Sequence, residues 1–137
     1  MTDPNLEAID VQAVILVGVG GAVGAVARYL FSVLVGRWWV LGFPLATLLV
    51  NILGSLAMGL LIGWLARAMP SWAPEGRLFL AVGVLGGFTT FSSFSLDTIA
   101  LIERGEVWQA GLYVVLSVVV CVPALYLGLL MTRGLPV

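Results

Sequence analysis

Four long apolar runs leave this chain little choice of fold. A spanning helix needs about 20 mostly apolar residues. The runs extend from about Ala13 to Val35, Phe43 to Ala66, Leu78 to Ile102 and Val107 to Met131. Only short segments join them, so almost nothing in 137 residues remains for a separate soluble domain. A strand barrel would alternate apolar and polar residues over about 10 positions, and these runs do not. The expected architecture is an all-α membrane protein, one domain of four transmembrane helices over residues 1–137. Charge supports this: 9% of residues are charged, against roughly 25% in a soluble domain.

The first ten residues, "MTDPNLEAID", carry acids and no Lys or Arg. A secretory leader needs a positive n-region, so the first run is expected to be retained. Cys121 is the only cysteine, which excludes an intrachain disulfide. A net charge of −1 argues against nucleic acid as a partner.

Cytoplasmic loops usually hold the excess of Lys and Arg. This chain has no Lys. The N-terminus, second loop and C-terminus share one side, with Arg67, Arg77 and Arg133; the other side has Arg37 and Arg104. Three against two is a weak bias, and Arg28 near the end of the first run can level it. Two readings stand: a fixed topology, or dual topology with copies inserted both ways up and paired about an in-plane two-fold axis. Four helices do not enclose a walled pathway, so an oligomer is expected on size alone.

Polar residues inside the runs carry the functional question. In the first, Gly20 and Gly24 form a G-x-x-x-G face suited to close helix approach. Arg28 continues that face; an intramembrane Arg is costly and points to function, unless it snorkels to the interface. The second opens with Pro44, tolerated in a first turn. Thr47, Asn51, Ser55, Gly59 and Gly63 then recur every four residues along one stripe. Asn51 has two donor hydrogens and an acceptor that need partners at that depth, from another helix or a wet cavity. In the fourth, Tyr113, Ser117 and Cys121 share a face, either as a polar track or with hydroxyls bonded back to their own helix. Pro123 removes one helical hydrogen bond and can kink this segment.

The third run contains "GGFTTFSSFS", Gly86 to Ser95. Two adjacent glycines followed by hydroxyls make a poor helix interior. A helix broken near mid-membrane is expected there, and such backbone must face protein or water. Freed carbonyls suit a cation, and N–H groups at a half-helix start suit an anion. Phe88, Phe91 and Phe94 lie three apart; their electropositive ring edges suit a small anion, while packing is the plainer explanation. No acid lies deep in the apolar runs: Asp97 sits toward the second half of the third, the other acids are terminal or in loops, and there is no His. Proton-coupled carriers normally use such groups, so passive conduction fits better than coupled pumping. No metal-ligand cluster, nucleophile–base pair or phosphate loop is visible, so an enzyme is not expected.

Three motifs in order then resemble the fluoride channel family called Fluc or CrcB, over nearly the whole chain. "GGAVGAVARY" is similar to the family's G-G-x-x-G-A-x-x-R-Y, and "PLATLLVNILGS" to P-x-G-T-L-x-x-N-x-x-G. "GVLGGFTTFSSFSLD" is similar to G-x-x-G-G-x-T-T-F-S-T-F-S-x-E. The resemblance implies a passive fluoride-selective channel that exports cytoplasmic fluoride from a bacterial inner membrane and so protects against fluoride toxicity. It further implies an antiparallel dual-topology homodimer with two pores and one central structural sodium ion. By motif position, backbone carbonyls of Gly86 and Thr89 would hold that sodium. Asn51, Phe91, Phe94, Ser92, Ser93, Tyr113, Ser117 and Arg28 would serve the fluoride pathway. Ala46 stands where the family often has Gly, Ser93 where it has Thr, Asp97 where it has Glu, and Cys121 where a Ser would extend the fourth-helix track. Two rival readings are a small multidrug exporter, which should carry a deep Glu in the first helix where this chain has Arg28, and a packing subunit, which leaves the third run unexplained.

Overall fold

The computed structural model describes residues 9–134; residues 1–8 and 135–137 of the expected domain lie outside it. All regular structure among the described residues is helical. Four segments are long and apolar enough to cross a membrane: Val11–Trp38, Leu45–Ala68, Ala73–Glu103 and Val107–Arg133.

Helix α1 (Val11–Trp38) starts at Asp10, whose side chain accepts the Gln12 N–H at 2.9 Å, an N-cap that satisfies an otherwise orphaned donor. After α1, the Trp39 indole N–H donates to Phe43 O at 2.9 Å and ties down the turn. Helix α2 (Leu45–Ala68) follows Pro44 and ends at Met69, which takes a left-handed φ of 40°. The last helix, numbered α6 below, spans Val107–Arg133 and continues through Pro123. Arg67, near the end of α2, donates to the carbonyls of Thr132 (2.9 Å) and Arg133, capping the C-terminus of that last helix with positive charge.

The third span is composite. A short α3 (Ala73–Gly76) runs into a π-helical segment (Arg77–Leu85), then one α-turn, α4 (Gly86–Phe88). Thr89 and Thr90 are extended, and α5 (Phe91–Glu103) resumes the direction. The break therefore falls at the two threonines, one step after the glycines. Gly86 and Gly87 stay helical because Gly87 is used for packing: a Cβ there would fall 3.0 Å from Gly21 Cα.

Lipid removes the hydrophobic drive that joins helices in water, so close packing must hold this fold. Helix α1 lies mainly on the π segment, and α2 mainly on α6. Both seams are glycine-lined. A Cβ on Gly24 would collide with Val84 O, and one on Gly59 with Leu125 O. Beside these seams, Leu48, Leu101, Ala110 and Tyr113 form a buried cluster, with Phe43, Ile52, Phe94 and Leu116 against it. Apolar side chains such as Val14, Val26 and Val119 stay exposed on the outer surface, as a lipid-facing surface requires.

Candidate functional site

The break in the third span is held by one side chain. Asn51 on α2 donates its amide N–H to Thr90 O at 3.0 Å and accepts the Thr90 N–H on Oδ1 at 2.8 Å. It replaces the helical partners that Thr90 gives up. Thr90 in turn caps α5: its hydroxyl oxygen accepts the Ser93 N–H at 3.1 Å and donates to Ser93 Oγ at 3.1 Å. The Thr89 methyl rests on Gly54 of α2, where no side chain intervenes. Each contact couples sequence to geometry: Asn, Gly and Thr are small or bidentate enough to hold an extended pair of residues between two helices.

These hydrogen bonds have a consequence for carbonyls. In an α-helix, Gly86 O would accept from Thr90 N–H and Thr89 O from Ser93 N–H. Both donors are diverted, one to Asn51 Oδ1 and one to Thr90 Oγ1. The ordinary helical donors of the Gly86 and Thr89 carbonyls are thus engaged elsewhere, on either side of the point where the chain turns extended.

On one side of the break lies a cavity of about 400 Å³ whose wall includes Asn51, Phe91, Phe94, Ser117 and Cys121. The Phe91 and Phe94 rings sit 5.3 Å apart at 43°, and Phe94 lies 5.2 Å from the Tyr113 ring at 41°. Asn51 retains one amide hydrogen beyond its bond to Thr90. The Ser117 hydroxyl oxygen is buried and has no hydrogen-bond partner among the described residues. The Ser95 and Thr98 hydroxyls bond back to their own helix, to Phe91 O and Phe94 O. Ser117 does not, and an unpaired buried hydroxyl costs about 1–3 kcal/mol unless a guest or water satisfies it.

A second hollow, of about 300 Å³, includes Arg28, Tyr29, Thr47, Thr90 and Ser93 in its wall. Arg28 is half-buried there and forms no ion pair among the described residues. Its positive charge therefore faces an open polar hollow beside the break.

The remaining expected residues divide. Tyr113 is fully buried and lines neither hollow. Its hydroxyl donates to Asp97 Oδ2 at 3.3 Å, the same oxygen that accepts the Thr47 hydroxyl at 2.7 Å. Phe43 meets the Tyr113 ring edge-on at 5.6 Å. Ser92 is exposed on the single chain, 3.2 Å from Thr90 Oγ1. The structure thus joins Asn51, Phe91, Phe94 and Ser117 in one cavity, and Arg28 with Ser93 in another. Sequence reasoning missed the pairing of Thr47 and Tyr113 on Asp97 and the capping role of Thr90. The four-residue stripe carrying Thr47 was a signal for its face, but not for its partner on another helix.

Residues 15–129 match the sequence model of a family described as CrcB-like protein, Camphor Resistance (CrcB). A protein of Hyphomonas neptunium named fluoride-specific ion channel FluC is 52% identical over 119 residues, covering 87% of this chain and 94% of its own. One of the same name from Sphingopyxis alaskensis is 56% identical over 118 residues, covering 86% and 93%. A third, from Roseobacter denitrificans, is 51% identical over 126 residues, covering 90% and 97%.

Proposed function

The chain belongs to the CrcB-like family, and on that premise we propose that it is a passive fluoride-selective channel exporting cytoplasmic fluoride across a bacterial inner membrane. The observation that carries this reading is the cavity beside the Asn51-clamped break, where phenylalanine rings and an unpartnered Ser117 hydroxyl meet. Fluoride must shed water to cross lipid. The free Asn51 N–H and the Ser117 O–H can each donate to it, while Phe91 and Phe94 edges offer weak positive charge. Weak contacts suit conduction, since binding must be favourable enough for capture and loose enough for release. Arg28 would concentrate anions at the neighbouring hollow.

The working unit is an antiparallel dual-topology homodimer with two pores. Its support is the near-balanced split of loop arginines and the 78% exposure of Phe91 on the single chain, a ring that a second copy would cover. The carbonyls of Gly86 and Thr89, whose helical donors are diverted, fit a hard oxygen-seeking cation. A structural sodium bound there by both copies would supply a fixed positive charge at the centre of the dimer. Ser92 and Ser93 would add hydroxyls beside the rings, and Tyr113 would hold Phe94 and Asp97 in place at the pathway's flank.

No coupling machinery is needed for protection. Hydrogen fluoride is neutral, crosses lipid and ionises where the pH is higher. An inside-negative potential then drives the trapped anion outward, by about 2.3 kcal/mol per charge at 100 mV. The test is flux from liposomes reconstituted with the purified protein, read with fluoride- and chloride-selective electrodes. Fast fluoride release with negligible chloride release is expected. Absence of fluoride flux, or equal chloride flux, overturns the reading.

A further inference from the structure

Tryptophan marks where this fold meets the membrane surface. Trp38, Trp39, Trp64, Trp72 and Trp108 all fall at or near the ends of the spans, where indole rings favour the headgroup level. Trp64 of α2 and Trp72 just before α3 have ring centroids 5.6 Å apart and are 41% and 47% exposed. At that level a groove of about 420 Å³ opens between the end of α2 and the start of the third span. Helix α2 contributes Ile62, Leu65 and Ala66 to its wall, and the third span contributes Ala73, Pro74 and Arg77. Arg77 supplies the one charge in that wall. It is exposed and forms no ion pair among the described residues. It follows Trp72 by five residues, at most about 7.5 Å further along a helix, where a long side chain still reaches the headgroup level. The other charges at this end lie outside the groove wall. Arg67 donates to the carbonyls of Thr132 and Arg133, and Asp10, Glu75 and Arg133 do not line the groove.

We propose that this groove binds an anionic phospholipid, with the headgroup phosphate on Arg77 and an acyl chain against Ile62, Leu65 and Ala66. An arginine at the edge of the hydrocarbon needs a counter-charge, and no carboxylate of the described residues pairs with it. A phosphate matches the guanidinium fork with two parallel N–H···O bonds. The rest of the wall is apolar. It suits a hydrocarbon chain, whereas a free phosphate entering it would lose hydration without replacement. Basic pockets between spans take anionic headgroups by the same combination. Net charge then selects among lipids. A zwitterionic headgroup brings its own cation to compete with Arg77, and an anionic one does not. None of the six wall residues borders the Asn51 cavity or the Arg28 hollow, so the site stands whether or not the chain conducts fluoride.

The experiment titrates the detergent-purified protein with phosphatidylglycerol or phosphatidylcholine of identical acyl chains, and native mass spectrometry counts the lipids retained. Arg77→Gln removes the charge in the groove. Arg133→Gln removes an exposed charge at the same end but outside the wall. Ala66→Phe fills the groove from an exposed position and leaves every charge in place. The wild type should retain phosphatidylglycerol at several-fold lower concentration than phosphatidylcholine. Arg77→Gln and Ala66→Phe should each lose that preference, and Arg133→Gln should keep it. Circular dichroism checks that each variant is helical; if Arg77→Gln is not, Ala66→Phe decides. Equal retention of the two lipids by the wild type overturns the proposal. So does an equal loss in Arg133→Gln, which would mean general charge attraction, or an undiminished preference in Ala66→Phe. Inorganic phosphate at the concentration of the lipid should not displace it; displacement would assign Arg77 to a soluble anion and overturn the lipid site.

Discussion

Asn51 shows how one side chain can allow a helix to break inside lipid. Its two bonds to Thr90 stand where helical bonds would be. Asn51→Ala removes both and leaves an N–H and a C=O without partners, at a cost of about 1–3 kcal/mol for such groups. A lower melting temperature in detergent and reduced fluoride efflux are expected; a variant that melts and conducts like the wild type removes the clamp from the account. Asp97 invites a comparison within one acceptor. Thr47 approaches Oδ2 at 2.7 Å and Tyr113 at 3.3 Å. Thr47→Val should cost more than Tyr113→Phe, whose longer bond falls toward the low end of the about 0.5–1.5 kcal/mol typical of a hydrogen bond. Melting temperatures in the opposite order would show that Tyr113 holds the stronger bond. That Asn51 needed a partner was readable from its depth. Which backbone group it binds was not, because residues 39 positions apart are brought together only by the packing of α2 against the break.

At the scale of the elements, glycines set the helix spacing. Gly24 and Gly59 each face a neighbouring carbonyl so closely that a methyl group has no room, and backbone cannot move aside as a side chain can. Gly24→Ala and Gly59→Ala should each destabilise by about 1–3 kcal/mol through overpacking. Gly111, with nothing near its missing Cβ, is the control: Gly111→Ala should be neutral or gain up to about 1 kcal/mol from helix propensity. Thermal melts of the three variants read the contrast, and a uniform response would show that the seams are not tightly packed. The four spans were legible because length and apolarity alone demand them. So was a break in the third, from glycines and hydroxyls at bilayer depth. Its placement at Thr89–Thr90 was not, since Gly87 has two competing uses, loosening its own helix and admitting α1. Nor was the π-helical stretch from Arg77 to Leu85. Its sequence is an ordinary apolar run, and the wider winding becomes visible only with Gly83 seated against Gly20.

For the whole molecule, the outstanding question is what covers the face that bears Phe91 and Ser92. Both are exposed on the single chain, and a serine hydroxyl at mid-membrane makes a poor neighbour for acyl chains. A second copy is the proposed cover, and its orientation follows from charge. One end carries Arg67, Arg77 and Arg133, with Asp10 and Glu75 among the described residues; the other carries Arg37 and Arg104 with Glu103 and Glu106. Arg104 is also drawn onto Glu106 at 3.2 Å and Gly42 O at 2.8 Å. Orientation is set by Lys and Arg counts near the spans, and three against two gives the insertion machinery little to choose by. Both orientations should therefore populate the membrane. Ser71→Cys in the exposed second loop, on a Cys121→Ser background, makes this measurable with a membrane-impermeant thiol reagent. The reagent should label the loop position from outside sealed cells in roughly the same amount as it labels afterward on permeabilisation. Labelling from a single side would exclude dual topology. A stronger form of the test adds Lys to one end or the other. Each biased version should insert one way and lose flux on its own, and the two expressed together should recover it, because only opposite orientations complete the pair.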